Sequence, residues 1–141
     1  MLFRSVAATT SPDTVPPVFS GLMSAESGLA CGETVLQWPA AAETCSGPPH
    51  YNIYRSTTPG FTPGPANHVA SVLGTAYIDT ALVPGQTYFY KARAADSSGN
   101  EESNVVERIA PARILPLVLY NQDFEAGAAT MIGRASCRER V

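Results

Sequence analysis

Charged residues are scarce in this sequence, and basic residues are the scarcest of them. Charged side chains make up 15% of the 141 residues, with nine Lys and Arg against twelve Asp and Glu and a net charge of −3. Only Arg4, Arg55 and Lys91 precede Arg93. Because a nucleic-acid-binding surface needs clustered positive charge, we expect no nucleic-acid partner for this chain.

Long apolar runs are also absent. No stretch approaches the roughly 20 apolar residues that a membrane-spanning helix requires, so we expect no membrane insertion. The hydrophobic fraction of 45% is nevertheless that of a globular chain. Twelve prolines and eleven glycines favour strands and turns over helices. The composition therefore predicts an all-β fold.

Residue patterns for catalysis or metal binding are missing. His50 and His68 are the only histidines, and neither has a metal-ligand spacing. No serine lies in a nucleophile-elbow pattern, and "PGFTPGPAN" lacks the lysine of a phosphate-binding loop. The carboxylates of Asp96, Glu101 and Glu102 lack the spacing of an EF-hand loop and are interpreted as a solvated acidic turn. We therefore predict no enzymatic activity, no metal and no cofactor.

Short strand patterns recur through the middle of the sequence. The runs "ETVLQW" and "PHYNIYRS" alternate with a period of two, and "HVASV", "TAYIDT", "YFYKARAAD" and "NVVERIA" follow between turn signals such as "VPGQ" and "SSGN". In "YFYKARAAD" one face carries rings and methyl groups, and the other carries charge. About seven such strands predict an immunoglobulin-like sandwich of two sheets. The predicted core residues are Leu36, Trp38, Tyr51, Ile53, Leu82, Tyr88 and Tyr90.

Several motifs in this order resemble a fibronectin type III domain. They are the Pro-Pro pair, Trp38 on the second strand, "YNIYRS" on the third and "LVPGQTY" before the sixth. Leu82, Pro84, Gly85 and Tyr88 match the tyrosine corner, in which the phenol hydroxyl bonds a backbone group a few residues upstream. The resemblance covers residues 12–111, and "YNIYRSTTPGFTPGPAN" is similar to the version found in bacterial extracellular multidomain proteins.

This resemblance implies a non-catalytic module that serves as a spacer or as a protein or glycan interaction unit. Its partners would be neighbouring domains of the same parent chain, a glycan or a surface protein. It also implies an extracellular or cell-surface location, with the leader peptide outside this sequence. The family's Arg-Gly-Asp adhesion loop is absent, since the matching turn is "DSSGNEE". Two alternatives stay open: an accessory-domain fragment of a secreted protease or glycan hydrolase, and an adhesion or carbohydrate-binding module.

Three aromatic residues occupy outward or loop positions in the predicted sandwich. Tyr54, Phe61 and Phe89 would present rings that can stack on a glycan or contact a neighbouring domain. Scattered surface aromatics are also common without any function, and that interpretation stays open.

The cysteines allow one disulfide within the predicted domain. A bond between Cys31 and Cys45 would close a loop of about 15 residues and suit an oxidising compartment. The two residues flank the "ETVLQW" strand, however, which spans about 20 Å, whereas a bridge requires Cα atoms within about 7 Å. The sequence leaves open whether this bond forms.

The two ends of the sequence differ from its middle. "MLFRS" and "IGRASCRERV" can be back-translated into the sequences of common short-read sequencing adapters. We therefore assign residues 1–5 and 132–141 to adapter sequence and predict that they pack against no other part of the protein. Residues 6–11 are then a linker. For residues 112–131 we expect a linker and the start of a second β domain, because "NQDFEAGAAT" resembles the opening of jelly-roll modules of secreted bacterial hydrolases. A linker followed by an edge strand stays open as the alternative.

Overall fold

The structure is a computed structural model that describes residues 11–114, so the predictions for residues 1–10 and 115–141 lie outside the described residues. Seven strands and one short 3-10 helix, Pro65–Asn67, make up the described part. The strands are β1 Ser24–Ser27, β2 Thr34–Gln37, β3 His50–Ser56, β4 His68–Val72, β5 Ala76–Asp79, β6 Thr87–Ala95 and β7 Arg108–Pro111. No helix between residues 11 and 114 is long and apolar enough to cross a membrane.

The strands form two antiparallel sheets that face each other. One sheet has the order β1-β2-β5 and the other has the order β4-β3-β6-β7. The chain passes from one sheet to the other after β2, β4 and β5, so each sheet combines strands that are consecutive in sequence with strands that are distant in sequence. The predicted two-sheet sandwich of about seven strands is confirmed.

The core lies between the two sheets, where inward-facing residues alternate with outward-facing ones. All seven residues of the predicted core belong to the buried cluster, and Trp38 is only 3% exposed. The Tyr51 ring lies between the rings of Phe19 and Trp38, with centroids at 5.3 and 5.5 Å. Tyr51 is also paired with Ala94 across the sheet, so a large side chain meets a small one. This alternation of sizes fills the space between the sheets.

The tyrosine corner predicted from "LVPGQTY" is present. The Tyr88 hydroxyl oxygen accepts a hydrogen bond from the backbone N–H of Val83 at 3.2 Å. Leu82 is 6% exposed and Tyr88 is 8% exposed, so both anchor the connection between β5 and β6 in the core. The corner fixes the turn at the point where the chain crosses between sheets.

The disulfide that the sequence left open between Cys31 and Cys45 is not formed. Cys45 is an exposed free thiol, while Cys31 is not free. The two residues lie on opposite sides of β2, in the connections that precede and follow it. Because an extended strand separates its ends, the connection after β2 would have to return along the strand before the two sulfurs could meet.

Candidate functional site

The outer face of the four-stranded sheet carries the three aromatic residues singled out by the sequence. Tyr54 on β3 is paired with Lys91 on β6, and Phe89 lies two residues before Lys91 on the same face. Phe61, from the loop between β3 and β4, has its ring centroid 5.0 Å from the Lys91 ammonium group. The three residues are therefore grouped around Lys91, the one lysine of the sequence.

Lys91 is buried, although the strand pattern predicted charge exposed on this face. Its ammonium group donates to the Phe61 carbonyl at 2.8 Å and lies 3.5 Å from a Glu107 carboxylate oxygen. The Glu107 carboxylate also accepts from the backbone N–H of Gly60 at 3.0 Å. The loop that contains Gly60 and Phe61 is thus held over the sheet by one buried cation and its counter-ion, and this loop covers Lys91.

Tyr54 is also buried, contrary to its predicted outward exposure. The residue is on the outer face, as expected, but it is 6% exposed because His68 contacts its ring edge-on with centroids 5.5 Å apart. Its hydroxyl donates to Glu101 at 2.8 Å. Burial is the larger cause and the hydrogen bond to the Glu101 carboxylate is the second, and together they raise the pKa of Tyr54 to about 12. A ring covered in this way does not present a flat face to a ligand.

A hydrogen-bond network converges on the Glu101 carboxylate, which follows β6. One oxygen accepts from the Asn52 amide at 2.6 Å as well as from the Tyr54 hydroxyl, and the other lies 3.4 Å from an Arg93 nitrogen. The side-chain amide oxygen of Asn52, Oδ1, accepts a hydrogen bond from the Ser71 hydroxyl at 2.6 Å. The network joins β3, β4 and β6 across the outer face, and the strand patterns gave no signal for it because Glu101 comes from a connection.

An open depression lies beside this network. Its volume is about 500 Å³, and it is lined by Tyr54, Pro63, Gly64, Pro65, His68 and Glu101. Pro63 and Pro65 belong to the Gly- and Pro-rich connection that the sequence marked as a loop. Two proline rings, an imidazole and a carboxylate therefore line one open depression, and its volume lies within the range of small-molecule sites.

A second polar cluster connects the two sheets through the core. Asp79 at the end of β5 is 2% exposed, and its carboxylate accepts from the Arg55 guanidinium at 2.8 and 2.9 Å. It also accepts from the Tyr90 hydroxyl at 2.9 Å. Burial is the largest influence on Tyr90 and raises its pKa. The sequence offered one signal for this cluster, since Arg55 occupies an inward position in β3 and a charge there requires a partner.

The turn after β6 is not the solvated acidic turn that the sequence predicted. Asp96 is 1% exposed and Glu102 is 9% exposed. Asp96 accepts from the backbone N–H groups of Ser98 and Asn100, each at 2.8 Å. Burial alone would raise the pKa of Asp96, but the hydrogen bonds from Asn100, Ser98 and Gly99 outweigh it and lower the pKa. These carboxylates cap the turn's own backbone, as Asx turns do.

One group of potential metal ligands occurs among residues 11–114. Oxygen or sulfur atoms of Asp13, Glu43 and Cys45 lie within 4.8 Å of one another. The carboxylates already accept hydrogen bonds from the backbone N–H groups of Val15 and Cys45, at 3.0 and 2.8 Å. The arrangement is that of two capped turns meeting at the surface, and exposed acidic groups of this kind are common without an ion.

The geometry defines an immunoglobulin-like β-sandwich whose charged groups chiefly connect its own elements. An Fn3-like protein from Clostridium thermocellum, known from its crystal structure, is 32% identical to this chain. The superposition has a TM-score of 0.53 and covers 73% of this chain and 97% of that one. The chain belongs to the fibronectin type III family, as its sequence motifs predicted.

Two further proteins are similar to parts of the chain. Amylopullulanase of Thermoanaerobacterium saccharolyticum is 38% identical over 82 residues, which is 56% of this chain and only 6% of that protein. A β-1,2-glucanase from Parabacteroides distasonis contains a region that superposes with a TM-score of 0.57 at 22% identity, over 77% of this chain and 14% of that one. The glucanase similarity shows the fold alone. No protein-family model matches the sequence.

Proposed function

We propose that this domain is a non-catalytic accessory module of a larger secreted bacterial protein, in which it serves as a spacer between domains. The observation that carries the proposal is the 38% identity to a segment that makes up 6% of an amylopullulanase. A similarity that covers so little of the whole enzyme is typical of a small module that occurs in several otherwise different multidomain proteins. The parent proposed here is a glycan-active extracellular enzyme whose catalytic domain lies elsewhere in the chain.

The contacts of the described residues support a structural role. The buried charges of Asp79, Lys91 and Asp96 are each engaged by partners within the sandwich. A catalytic acid or base requires a group that reaches a substrate, whereas these three groups bind other side chains or backbone groups of the domain itself. The charges of this domain therefore stabilise its shape.

The test is to incubate the purified full chain with pullulan, amylopectin, β-1,2-glucan and casein. We expect no reducing sugar and no new peptide ends above a buffer blank. Release of either product would refute the non-catalytic assignment. Sequencing the gene on both sides of this segment then tests the second half of the proposal, because a glycan hydrolase domain in the same reading frame is the expected neighbour.

The depression beside Tyr54 favours glycan contact as a second candidate function. The rings of the two prolines can pack on the C–H face of a sugar, while Glu101 and His68 supply polar contacts. If this function holds, an insoluble polysaccharide should retain the chain, and Pro65→Ala and His68→Ala, which change residues that line the depression, should weaken the retention. Ile109→Ala is the control, because Ile109 is 59% exposed on β7 and does not line the depression. Equal retention of all variants would exclude the depression as a glycan site.

A further inference from the structure

The hydrogen-bond network beside the depression has a fixed direction, and Glu101 sets it. An ionised carboxylate only accepts hydrogen bonds, so the partners of Glu101 must donate. The side-chain nitrogen of Asn52 donates to Glu101 Oε2 at 2.6 Å, and the Tyr54 hydroxyl donates to the same oxygen at 2.8 Å. The orientation of the Asn52 amide is thereby determined, because its nitrogen must face the carboxylate and its oxygen must face away.

The same reasoning determines the tautomer of His68. Asn52 Oδ1 only accepts, so the Ser71 hydroxyl gives its single proton to this oxygen, at 2.6 Å. Ser71 Oγ then has only lone pairs left for the His68 ring, and its 3.1 Å contact with Nε2 requires the ring proton to be on Nε2. In the neutral ring Nδ1 therefore carries a lone pair. No hydrogen bond among residues 11–114 uses this atom.

The polar atoms left over on these side chains are consequently acceptors. Glu101 Oε2 receives two hydrogen bonds, whereas Oε1 has one partner among the described residues, an Arg93 nitrogen at the long distance of 3.4 Å. Each carboxylate oxygen has about two lone pairs, so Oε1 can accept from a further donor. Glu101 and His68 both line the depression, and each thus brings one acceptor to it.

The loop that lines the depression adds no backbone donor to balance these acceptors. Pro63 and Pro65 have no backbone N–H. The N–H of Gly64, which lies between them, donates to Asn67 Oδ1 at 2.9 Å and is already used. A ligand that binds here must therefore supply the hydrogen-bond donors itself.

We infer that the depression recognises an uncharged glycan, whose hydroxyl groups donate to Glu101 Oε1 and to His68 Nδ1. This inference rests on the glycan contact proposed above as the second candidate function, and it adds the class of glycan. An acidic glycan is excluded because its carboxylates only accept hydrogen bonds and would place a negative charge beside that of Glu101. Ser71 acts as a positioning residue, since it holds the tautomer of His68 without lining the depression.

The first test is nitrogen NMR of the histidine rings in the full chain, at a pH of about 8, above the ordinary titration range of histidine. We expect the His68 proton on Nε2, and His68→Ala assigns the signals because His50 is the only other histidine. In Ser71→Ala both tautomers of His68 should become populated. A proton on Nδ1 in the unsubstituted chain, or ring signals that Ser71→Ala leaves unchanged, would overturn the inference.

The second test compares polysaccharides of different charge by affinity electrophoresis of the full chain. Pullulan and β-1,2-glucan are the uncharged probes, and polygalacturonate is the anionic probe. We expect at least one uncharged glucan to retard the chain and polygalacturonate to leave its migration unchanged. Ser71→Ala should lower the apparent affinity for the retarding glucan roughly five-fold, as the weakening of one hydrogen bond would. Ser24→Ala is the matched control, because Ser24 lies on β1 in the other sheet, and it should leave the affinity unchanged.

The outcomes separate this inference from glycan contact itself. Retardation by polygalacturonate that equals or exceeds that by the glucans would overturn the inference and leave glycan contact standing. The same holds if Pro65→Ala abolishes retardation by a glucan while Ser71→Ala does not alter it. Retardation by none of the probes would refute glycan contact together with the inference. The spacer function is unaffected by any of these results, because it is tested by the digestion and gene-sequencing experiments.

Discussion

At the scale of single residues, the buried charges among residues 11–114 have structural partners. Asp79 accepts hydrogen bonds from both Arg55 and Tyr90, and the three residues come from three strands in two sheets. The Arg55 guanidinium also lies 5.5 Å from the centroid of the Tyr88 ring, on the side of the tyrosine corner. One carboxylate therefore ties β5 to the opposite sheet. Such a group is costly to bury and is tolerated here because its donors are in place.

Replacing Asp79 should therefore destabilise the fold more than its size suggests. We expect Asp79→Ala to lower the free energy of unfolding by about 3 kcal/mol. This value is near the lower end of the cost of breaking a buried ion pair, because the Arg55 side chain is 33% exposed and water can hydrate it once Asp79 is gone. Urea unfolding at pH 7 measures the change. Glu26→Ala is the matched control, since Glu26 is an exposed carboxylate on β1, and it should change stability by less than about 0.5 kcal/mol. Equal effects of the two variants would contradict this role of Asp79.

At the scale of elements, the turn between β6 and β7 depends on one side chain. The oxygens of Asp96 accept from the backbone N–H groups of Ser98 and Asn100 and from the Asn100 amide at 2.7 Å. The backbone N–H of Asp96 donates to the Asn100 carbonyl and closes the turn. These hydrogen bonds fix the conformation of the turn after β6, and this conformation places Glu101 beside Tyr54.

Acid should weaken this turn in a predictable direction. Because hydrogen bonding lowers the pKa of Asp96 below its ordinary value of 3.8, the ionised group adds stability above pH 3.8 that is lost as the pH falls through the folded-state pKa. We expect Asp96→Asn to be less stable at pH 7 and to show a shallower loss of stability below pH 4. Urea midpoints between pH 2.5 and 7 measure both. Glu26→Gln should retain the acid dependence of the unsubstituted chain; a steep acid loss that persists in Asp96→Asn would show that other carboxylates cause it.

The elements themselves were largely predictable from the sequence, because period-two alternation and turn residues are local signals. The run "HVASV" matches β4 at both ends, and "YFYKARAAD" is offset from β6 by one residue. The burial of Tyr54 and Lys91 was not predictable, because it depends on the Phe61 loop and His68 closing over the outer face. Strand periodicity assigns a side chain to a face and carries no information about what a distant loop places on that face.

At the scale of the whole molecule, the sandwich has one continuous core and two outer faces of different character. Trp38 and Tyr51 both belong to this core, and their rings contact each other between the two sheets, with centroids 5.5 Å apart. The outer face of the four-stranded sheet is covered in part by a loop, whereas Ile78 on the other sheet is 53% exposed. Stability should therefore depend on the ring contacts between the sheets far more than on either outer face.

Truncating Trp38 tests this dependence directly. We expect Trp38→Ala to lower the free energy of unfolding by roughly 3–5 kcal/mol, because it removes a buried indole and leaves a cavity that Tyr51 and Phe19 cannot fill without separating the sheets. Thermal and urea unfolding measure the loss. Gln37→Ala is the matched control, since Gln37 precedes Trp38 on β2 and is exposed, and it should change stability by less than about 0.5 kcal/mol. A melting midpoint that Trp38→Ala leaves unchanged would mean that other contacts hold the two sheets together, and the hydrogen bonds of Asp79 to Arg55 and Tyr90 would be the next contacts to test.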